Sequence, residues 1–248
     1  MKRGFAAITL GKQAFRYDRI AIGLMWLAAP LLFGAAWLAM HPEHDPRAPL
    51  DLRDPPGWAT ERKLLALRGD PELCRAVLTR SKVAFTMLPP QGEGACARPD
   101  RVVLDDIPLS PDRPPTSCAV SSALHLWLER GVKPAALETF GSPLASIEHY
   151  GAFSCRRLYG QSDGRWSEHA TGNAIDIAGF LLEDDTRISV LNDWQDEGGT
   201  GDKARFLRMV REHACDSFAT VLSPDYNAAH GDHFHFDQQD RGFGGVCR

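Results

Sequence analysis

The first 73 residues contain no cysteine, whereas six cysteines follow at positions 74, 96, 118, 155, 215 and 247. No two of them form a Cys-x-x-Cys pair, which argues against a cysteine zinc site and against a thioredoxin-like redox motif. An even number of widely spaced cysteines predicts three disulfides in an oxidising compartment, with fifteen pairings left open.

The sequence also lacks a glycine-rich phosphate loop, a Gly-x-Ser-x-Gly motif and any internal repeat. These absences give no support to a nucleotide site or to a metal-free serine hydrolase. The chain carries 28 Lys and Arg against 32 Asp and Glu, and five of the basic residues but only one acidic residue lie before residue 40. The part beyond residue 40 is therefore clearly acidic, and we expect no nucleic-acid partner.

Charge is absent from the 21 residues between Ile20 and Met40, which are rich in Leu, Ala, Ile and Trp. A helix that spans a bilayer needs about 20 such residues. Because the preceding residues are mostly basic, residues 1–19 are predicted to form a cytoplasmic tail. The apolar run is longer than the ~7–15 residues of a signal-peptide core. We therefore predict a transmembrane signal anchor at residues 20–40 of an inner membrane, with the rest of the chain in the periplasm.

Residues 41–58 are rich in Pro and Asp and are typical of a semi-rigid linker. Residues 59–248 show both helical and strand patterns, which predict one α+β domain: a small antiparallel sheet flanked by helices. The predicted helices cover residues ~60–68, ~71–80 and 119–130, a short stretch from Pro134, and residues 203–215. The predicted strands cover residues 83–87, 102–104, 173–178, 219–222 and 233–237.

Two of these strands carry histidine and aspartate, residue types that commonly bind metal ions. In His233-Phe234-His235-Phe236-Asp237 the polar and aromatic residues alternate, so the histidines and the aspartate share one face while the phenylalanines enter the core. In the segment 173–178, Asp176 lies between two small alanines. Gly172 allows a turn that brings His169 back toward Asp176.

The two strands can thus present His169, Asp176 and His235 to a common point. Two imidazoles and one carboxylate suit Zn²⁺ at roughly 2.0–2.2 Å, and three protein ligands plus a water are typical of a catalytic zinc site. Zinc lowers the pKa of bound water to about 7 and polarises a carbonyl oxygen. The sequence therefore predicts a zinc site that hydrolyses an amide.

The pattern Ser-x-His-x-x-Gly-x-Ala-x-Asp (167–176) followed by His-x-His (233–235) resembles the LAS group of zinc peptidases. This group includes D-alanyl-D-alanine carboxypeptidases and murein endopeptidases. Over residues ~50–248 the chain more closely resembles the bacterial extensin-like C-terminal domain family. That resemblance is carried by the stretches 50–58, 154–156, 167–180 and 224–237.

The resemblance implies that three residues bind Zn²⁺: His169, Asp176 and His235. It also implies that His233 is either the catalytic histidine or a histidine that orients the ligands, and His230 matches an active-site histidine of the murein endopeptidases. Many members carry a carboxylate general base three residues before the last ligand. Asp232 has this position and is the alternative to His233 as the base.

For the substrate, the resemblance implies that Arg156 binds a carboxylate or the developing oxyanion, since a guanidinium suits both. The adjacent Arg157 is the alternative, because strand alternation places only one of the two in the cleft. Ser167 is a further candidate for contact with the substrate, or it shapes the turn that carries His169.

These features together predict a membrane-anchored, zinc-dependent peptidase that cleaves peptide bonds in peptidoglycan stem peptides or cross-links. Its partners would be peptidoglycan peptides and the inner membrane. The preference for peptidoglycan is implied by the resemblance only. The alternative is a non-catalytic, zinc-containing module that binds the cell wall.

Overall fold

The N-terminal apolar stretch folds as one helix, α1 (Ile8–Met40), which continues through Pro30 without interruption. A computed structural model describes residues 8–241 and 245–248, with side chains described from Tyr17 onward. The segment Tyr17–Met40 has a mean hydropathy of 1.9 in its most apolar window, and none of that window is buried. A helix long and apolar enough to cross a membrane is thus confirmed. Residues 1–7 of the predicted tail lie outside the described residues.

The segment after α1 contains one 3₁₀ turn, Pro42–His44, and then packs onto the domain. The ring of Trp37 stacks on that of His44 with centroids 5.1 Å apart, and His44 contacts Trp58 at 4.6 Å. Further along, Leu50 and Leu52 are buried in a hydrophobic cluster with the first helices of the domain. The second half of the predicted linker therefore contributes to the core.

Six further α-helices follow in the part of the chain that the structure describes, and those predicted from the sequence are confirmed with shifts of a few residues. They are α2 (Thr60–Ala66), α3 (Pro71–Arg80), α4 (Cys118–Trp127), α5 (Lys133–Phe140), α6 (Val190–Asp193) and α7 (Asp202–Cys215). The chain continues from α4 to α5 through a π-turn, Leu128–Val132. Trp127 is fully buried and donates its indole N–H to the carbonyl of Val210 at 2.7 Å, which fixes α4 against α7.

Nine strands form two sheets within the described residues. They are β1 (Phe85–Leu88), β2 (Arg101–Leu104), β3 (Leu109–Ser110), β4 (Leu144–Gly151), β5 (Ala174–Leu182), β6 (Arg187–Ser189), β7 (Thr220–Leu222), β8 (Phe234–Asp237) and β9 (Val246–Cys247). Strands β1 and β2, which correspond to the strands predicted at residues 83–87 and 102–104, form an antiparallel pair. The other seven form one sheet in the order β3-β4-β5-β8-β7-β9, with β6 also paired to β5.

The α+β class is confirmed, but the prediction of a small antiparallel sheet is wrong. The main sheet has seven strands, and two of its pairs are parallel: β3 with β4, and β7 with β9. The sequence patterns missed β4, a central strand, because polar residues in Leu-Ala-Ser-Ile-Glu-His-Tyr-Gly break the alternation. The edge strands β3 and β9 have two residues each, too few for any periodic signal.

The pairing of β5 with β8 positions the candidate site. Asp176 is directly opposite His235, while Ile175 lies opposite Phe236 and Ile177 opposite Phe234. All four apolar side chains are fully buried. Because successive side chains of a strand point to opposite faces, this anchored register holds Asp176 and His235 on the other face.

Three disulfides are present, as predicted. Their pairing, which the sequence leaves open, is Cys74–Cys118, Cys96–Cys155 and Cys215–Cys247. In the chain-entropy view, closing loops of this length stabilises the fold by roughly 4 kcal/mol each. The Cys96–Cys155 bond lies beside the candidate site, because Cys155 directly precedes Arg156.

Candidate metal centre

Three donor atoms from three parts of the chain meet at one point. His169 Nε2 lies 3.1 Å from Asp176 Oδ1 and 3.1 Å from His235 Nδ1, and the last two atoms are 2.9 Å apart. In a tetrahedral zinc site with bonds of about 2.0–2.2 Å, the edges between ligand atoms measure about 3.3–3.6 Å. A few tenths of an ångström of outward movement would therefore admit the ion.

A short 3₁₀ turn, Glu168–Thr171, carries His169 to this point. Ser167 caps the turn, because its hydroxyl accepts the backbone N–H of His169 at 3.3 Å. Gly172 ends it in the left-handed conformation with φ of 71°, which glycine adopts without steric cost. Ser167 is itself buried and lines the cavity above the site. The structure thus gives Ser167 a positioning contact, and its role toward a substrate stays a prediction.

The outer nitrogens of both histidines have acceptors. His169 Nδ1 lies 3.3 Å from the carbonyl oxygen of Ala152, and His235 Nε2 lies 3.0 Å from Asp237 Oδ2. If each outer nitrogen carries the proton, both inner nitrogens present lone pairs to the carboxylate of Asp176. Three converging lone pairs repel one another unless a cation lies between them. Ligand histidines oriented by a carboxylate and a carbonyl are the usual arrangement around zinc, so these residues fit the ion.

In the metal-free protein a proton takes the cation's place. Burial by itself opposes charge on both groups, but hydrogen bonds outweigh it. Contacts with His169 and His235 hold the pKa of Asp176 well below its usual range. Hydrogen bonds to Asp176 and Asp237 raise the pKa of His235 to about 9. A metal ion bound at this point would therefore have to displace a proton from His235 near neutral pH.

The raised pKa predicts that the metal-free protein loses stability in alkali. His235 titrates at about 9 in the folded state, against a reference value of 6.5. Its stabilising effect is fully present below pH 6.5 and is lost as the pH rises through 9. The loss is on the order of 3 kcal/mol. Urea unfolding of the full chain in detergent and chelator, at several pH values, measures it. In His235→Gln this alkaline loss should disappear; an unchanged profile in that variant would contradict the assignment.

Asp237 has a role that the sequence patterns did not assign. Strand alternation placed it on the same face as His235. In the structure Asp237 Oδ2 lies 3.0 Å from His235 Nε2, and Asp237 Oδ1 accepts the Gln239 backbone N–H at 2.9 Å.

We expect Asp237→Asn to weaken zinc binding by about 10–100-fold, because the variant no longer holds the imidazole with a full negative charge. Competition with a chelating dye measures this. Asp105→Asn, which alters a carboxylate bonded to Thr86, is the matched control. Equal affinity in the two variants would contradict the role.

His233 and Asp232 are a hydrogen-bonded pair instead of competing residues. Strand β8 starts at Phe234, one residue later than predicted, so both residues lie in the turn before it. His233 Nδ1 is 2.7 Å from Asp232 Oδ1, while His233 Nε2 is 3.6 Å from Asp176 Oδ1. Asp232 therefore orients the ring, and His233 Nε2 faces the metal position.

His230 lies on the other side of His233, with ring centroids 5.3 Å apart. Its Nδ1 is 2.8 Å from Asn227 Oδ1 in the 3₁₀ turn Ala228–His230. Burial, together with the neighbouring rings of His235 and His233, lowers the pKa of His230 to about 4. His230 is therefore a neutral imidazole near pH 7, able to donate or accept one hydrogen bond in the cleft.

A cavity of about 240 Å³ opens above these groups, and Arg156 lines it. Arg157 is engaged elsewhere: its guanidinium lies 4.5 Å from the ring centroid of Trp166, and it donates to the carbonyl of Gly164. Of the two candidate arginines, the structure thus brings Arg156 to the site.

The sequence patterns did not single out two further basic residues that line the cavity, Arg165 and Arg241. Surface arginines are common, and nothing in their spacing distinguishes these two.

Comparison with known proteins gives one match. No curated protein and no solved structure matches the chain significantly. Residues 72–248 match the family described as extensin-like protein C-terminus. The matched range includes every residue of the candidate centre and all six cysteines, and it covers well over half of the chain. The chain therefore belongs to the extensin-like C-terminus family.

Proposed function

We propose that this protein is a membrane-anchored, zinc-dependent peptidase that acts on the stem peptides or cross-links of peptidoglycan. The observation that carries the proposal is the convergence of His169 Nε2, Asp176 Oδ1 and His235 Nδ1 beneath a cavity, with the His233–Asp232 pair facing them. The pattern of these residues resembles that of the LAS zinc peptidases. Three protein ligands leave a position for water, as catalytic zinc sites do.

Zinc held by the three ligands would supply Lewis acidity for attack on a carbonyl. The remaining chemistry belongs to the chain. His233 Nε2 would accept a proton from the water that attacks the carbonyl and return it to the leaving amine as the C–N bond breaks, while Asp232 would stabilise the protonated ring. His230 stays neutral and is placed to bond the substrate. Arg156 suits a substrate carboxylate through two parallel hydrogen bonds.

The proposed location is supported by two features. Helix α1 is long and apolar enough to span a bilayer, and the basic residues precede it, which favours a cytoplasmic N-terminus. All six cysteines lie beyond the helix and are paired, which favours an oxidising compartment. Both features agree with a periplasmic domain facing the cell wall.

The function is tested with purified full chain in detergent, loaded with zinc and incubated with sacculi and defined muropeptides. Mass spectrometry should show new peptide products, and a chelator should abolish them. Stoichiometric zinc without cleavage of any muropeptide would reject the peptidase and favour the alternative, a zinc-containing module that binds the cell wall.

Arg156 should matter for substrate binding more than Arg157 does. Arg156→Ala removes charged hydrogen bonds worth about 1.5–3 kcal/mol, so we expect KM to rise at least about tenfold. Arg157→Lys, which keeps a cation beside Trp166, is the control and should change KM little. Steady-state kinetics on a defined muropeptide measure both. The reverse ranking of the two variants would show that Arg157 is the substrate residue.

A further inference from the structure

Exposed aromatic side chains are concentrated around the cleft. Among the described residues from 41 to 241, six Phe, Tyr and Trp side chains are exposed, and four of them lie in or beside the cavity. Tyr159, Trp166 and Tyr226 line the cavity, and Tyr150 packs its ring 5.8 Å from that of His233. Tyr150 and Tyr159 are 60% and 59% exposed. Apolar surface left in water at one place commonly marks a binding site.

These rings are held in position. Trp166 pairs with Arg157 through an isolated β-bridge, and the Arg157 guanidinium covers one face of its indole. The Trp166 side chain nevertheless remains 39% exposed. Tyr159 has a φ of 54°, a left-handed conformation that costs about 1–3 kcal/mol in a residue other than glycine. Its hydroxyl lies 3.4 Å from Asn227 Nδ2, which connects it to the turn that carries His230.

The four rings come from three segments. Tyr150 belongs to β4, Tyr159 and Trp166 to the 157–166 loop, and Tyr226 precedes the turn that holds His230. Tyr226 and His230 have ring centroids 5.6 Å apart. Together they form an aromatic rim, defined here as Tyr150, Tyr159, Trp166 and Tyr226. Two of its members contact histidines of the site, Tyr150 at His233 and Tyr226 at His230.

We propose that the aromatic rim stacks on a pyranose ring, so that the ligand of the cleft is a peptide still attached to its glycan strand. This inference rests on the proposed function. Stem peptides consist mainly of small and charged residues, which offer no large apolar group to four aromatic rings. A pyranose has an apolar C–H face that packs on an aromatic ring, and hydroxyls that bond polar groups at its edge. Arg165, which lines the cavity next to Trp166, is such a polar group.

The preference for glycan is measured with two substrates that share one peptide. Zinc-loaded full chain in detergent is given a disaccharide-linked muropeptide and the same peptide released from its sugar. We expect kcat/KM to be at least about tenfold higher for the linked form, the equivalent of about 1.4 kcal/mol. Trp166→Ala and Tyr159→Ala should reduce this ratio toward one. Trp58→Ala removes an exposed ring outside the rim and should keep the ratio. Equal kcat/KM for the two substrates, or a ratio that survives in both rim variants, would overturn the inference.

A second measurement separates this inference from the peptidase proposal. Oligomers of β-1,4-linked N-acetylglucosamine carry pyranose rings and no peptide, and their binding to the full chain can be followed by tryptophan fluorescence and calorimetry. Suppose that no muropeptide is cleaved but the oligomer binds, and that Trp166→Ala weakens its binding at least fivefold. The binding of a pyranose by the aromatic rim is then supported, while the peptidase proposal is rejected. Absence of cleavage together with absence of oligomer binding would overturn both.

Discussion

Replacing His235 by alanine is expected to reduce bound zinc from about one ion per chain to about none. His235 is one of the three proposed zinc ligands, and its Nδ1 lies within 3.1 Å of both other donor atoms. Loss of a residue that merely orients a ligand weakens binding by about 10–100-fold, so loss of a ligand should cost more. Elemental analysis after dialysis against a weak chelator measures the zinc content.

The matched control is His213→Ala. His213 lies near the end of α7, with a side chain 45% exposed, and takes no part in the centre. It should keep its zinc. Circular dichroism shows whether each variant keeps the fold, which three disulfides and the buried faces of β5 and β8 support without the metal. A folded His235→Ala protein with full zinc content would place the metal elsewhere.

Replacing His233 by alanine is expected to leave zinc in place and to lower kcat by about 10²–10⁴-fold, the usual contribution of a general acid–base residue. The reason is geometric. His233 Nδ1 is bonded to Asp232, and Nε2 is directed to the metal side without belonging to the close triangle of donors. The three ligands therefore remain after the substitution, while the proton carrier is lost. Single-turnover kinetics on a muropeptide, paired with zinc analysis, measure both quantities.

Asp232→Asn is the companion variant. It keeps a group that can accept a hydrogen bond from the ring but removes the charge that stabilises the imidazolium, so kcat should fall less than in His233→Ala. If Asp232→Asn is the more damaging change, the carboxylate is the base. If His233→Ala loses zinc, the division between ligand and catalytic histidine is wrong.

The position of the donor residues could be predicted from the sequence because it depends on local periodicity. Alternation in residues 233–237 separates two phenylalanines from His235 and Asp237, and burial of both rings in the core fixes that choice. The same rule orients Asp176 on β5. Only Gly172 was needed to predict that the chain turns between His169 and that strand. These are short-range properties, and the structure confirms them.

Other features of the fold and of the site could not be predicted from the sequence, because they depend on contacts between distant segments. The disulfide pairing joins residues 32 to 59 positions apart, and no spacing rule selects one arrangement of six cysteines. Strand β4 is recognisable mainly through its partner β5, since its own polar residues hide the alternation. Arg156 lines the cavity while the Arg157 guanidinium packs on the Trp166 ring, and the spacing of these residues does not predict that contact.

The pairing of His233 with Asp232 depends on where strand β8 begins. A strand that included Asp232 would have directed the two side chains to opposite faces of the sheet, so that only one of them could face the site. Because β8 starts at Phe234, the turn before it brings Asp232 Oδ1 to His233 Nδ1. Strand ends are the least certain part of a periodicity argument, and here the chemistry depends on one.

X-ray absorption at the zinc edge of the wild-type full chain measures whether His169, Asp176 and His235 hold a catalytic zinc ion. We expect one zinc per chain with two imidazole nitrogens and two oxygens at about 2.0–2.2 Å, one oxygen from Asp176 and one from water. The scattering of one imidazole should disappear in His169→Ala or His235→Ala, together with most of the zinc. Zinc bound without imidazole ligands, or a chain that takes up no stoichiometric zinc at neutral pH, would contradict this assignment.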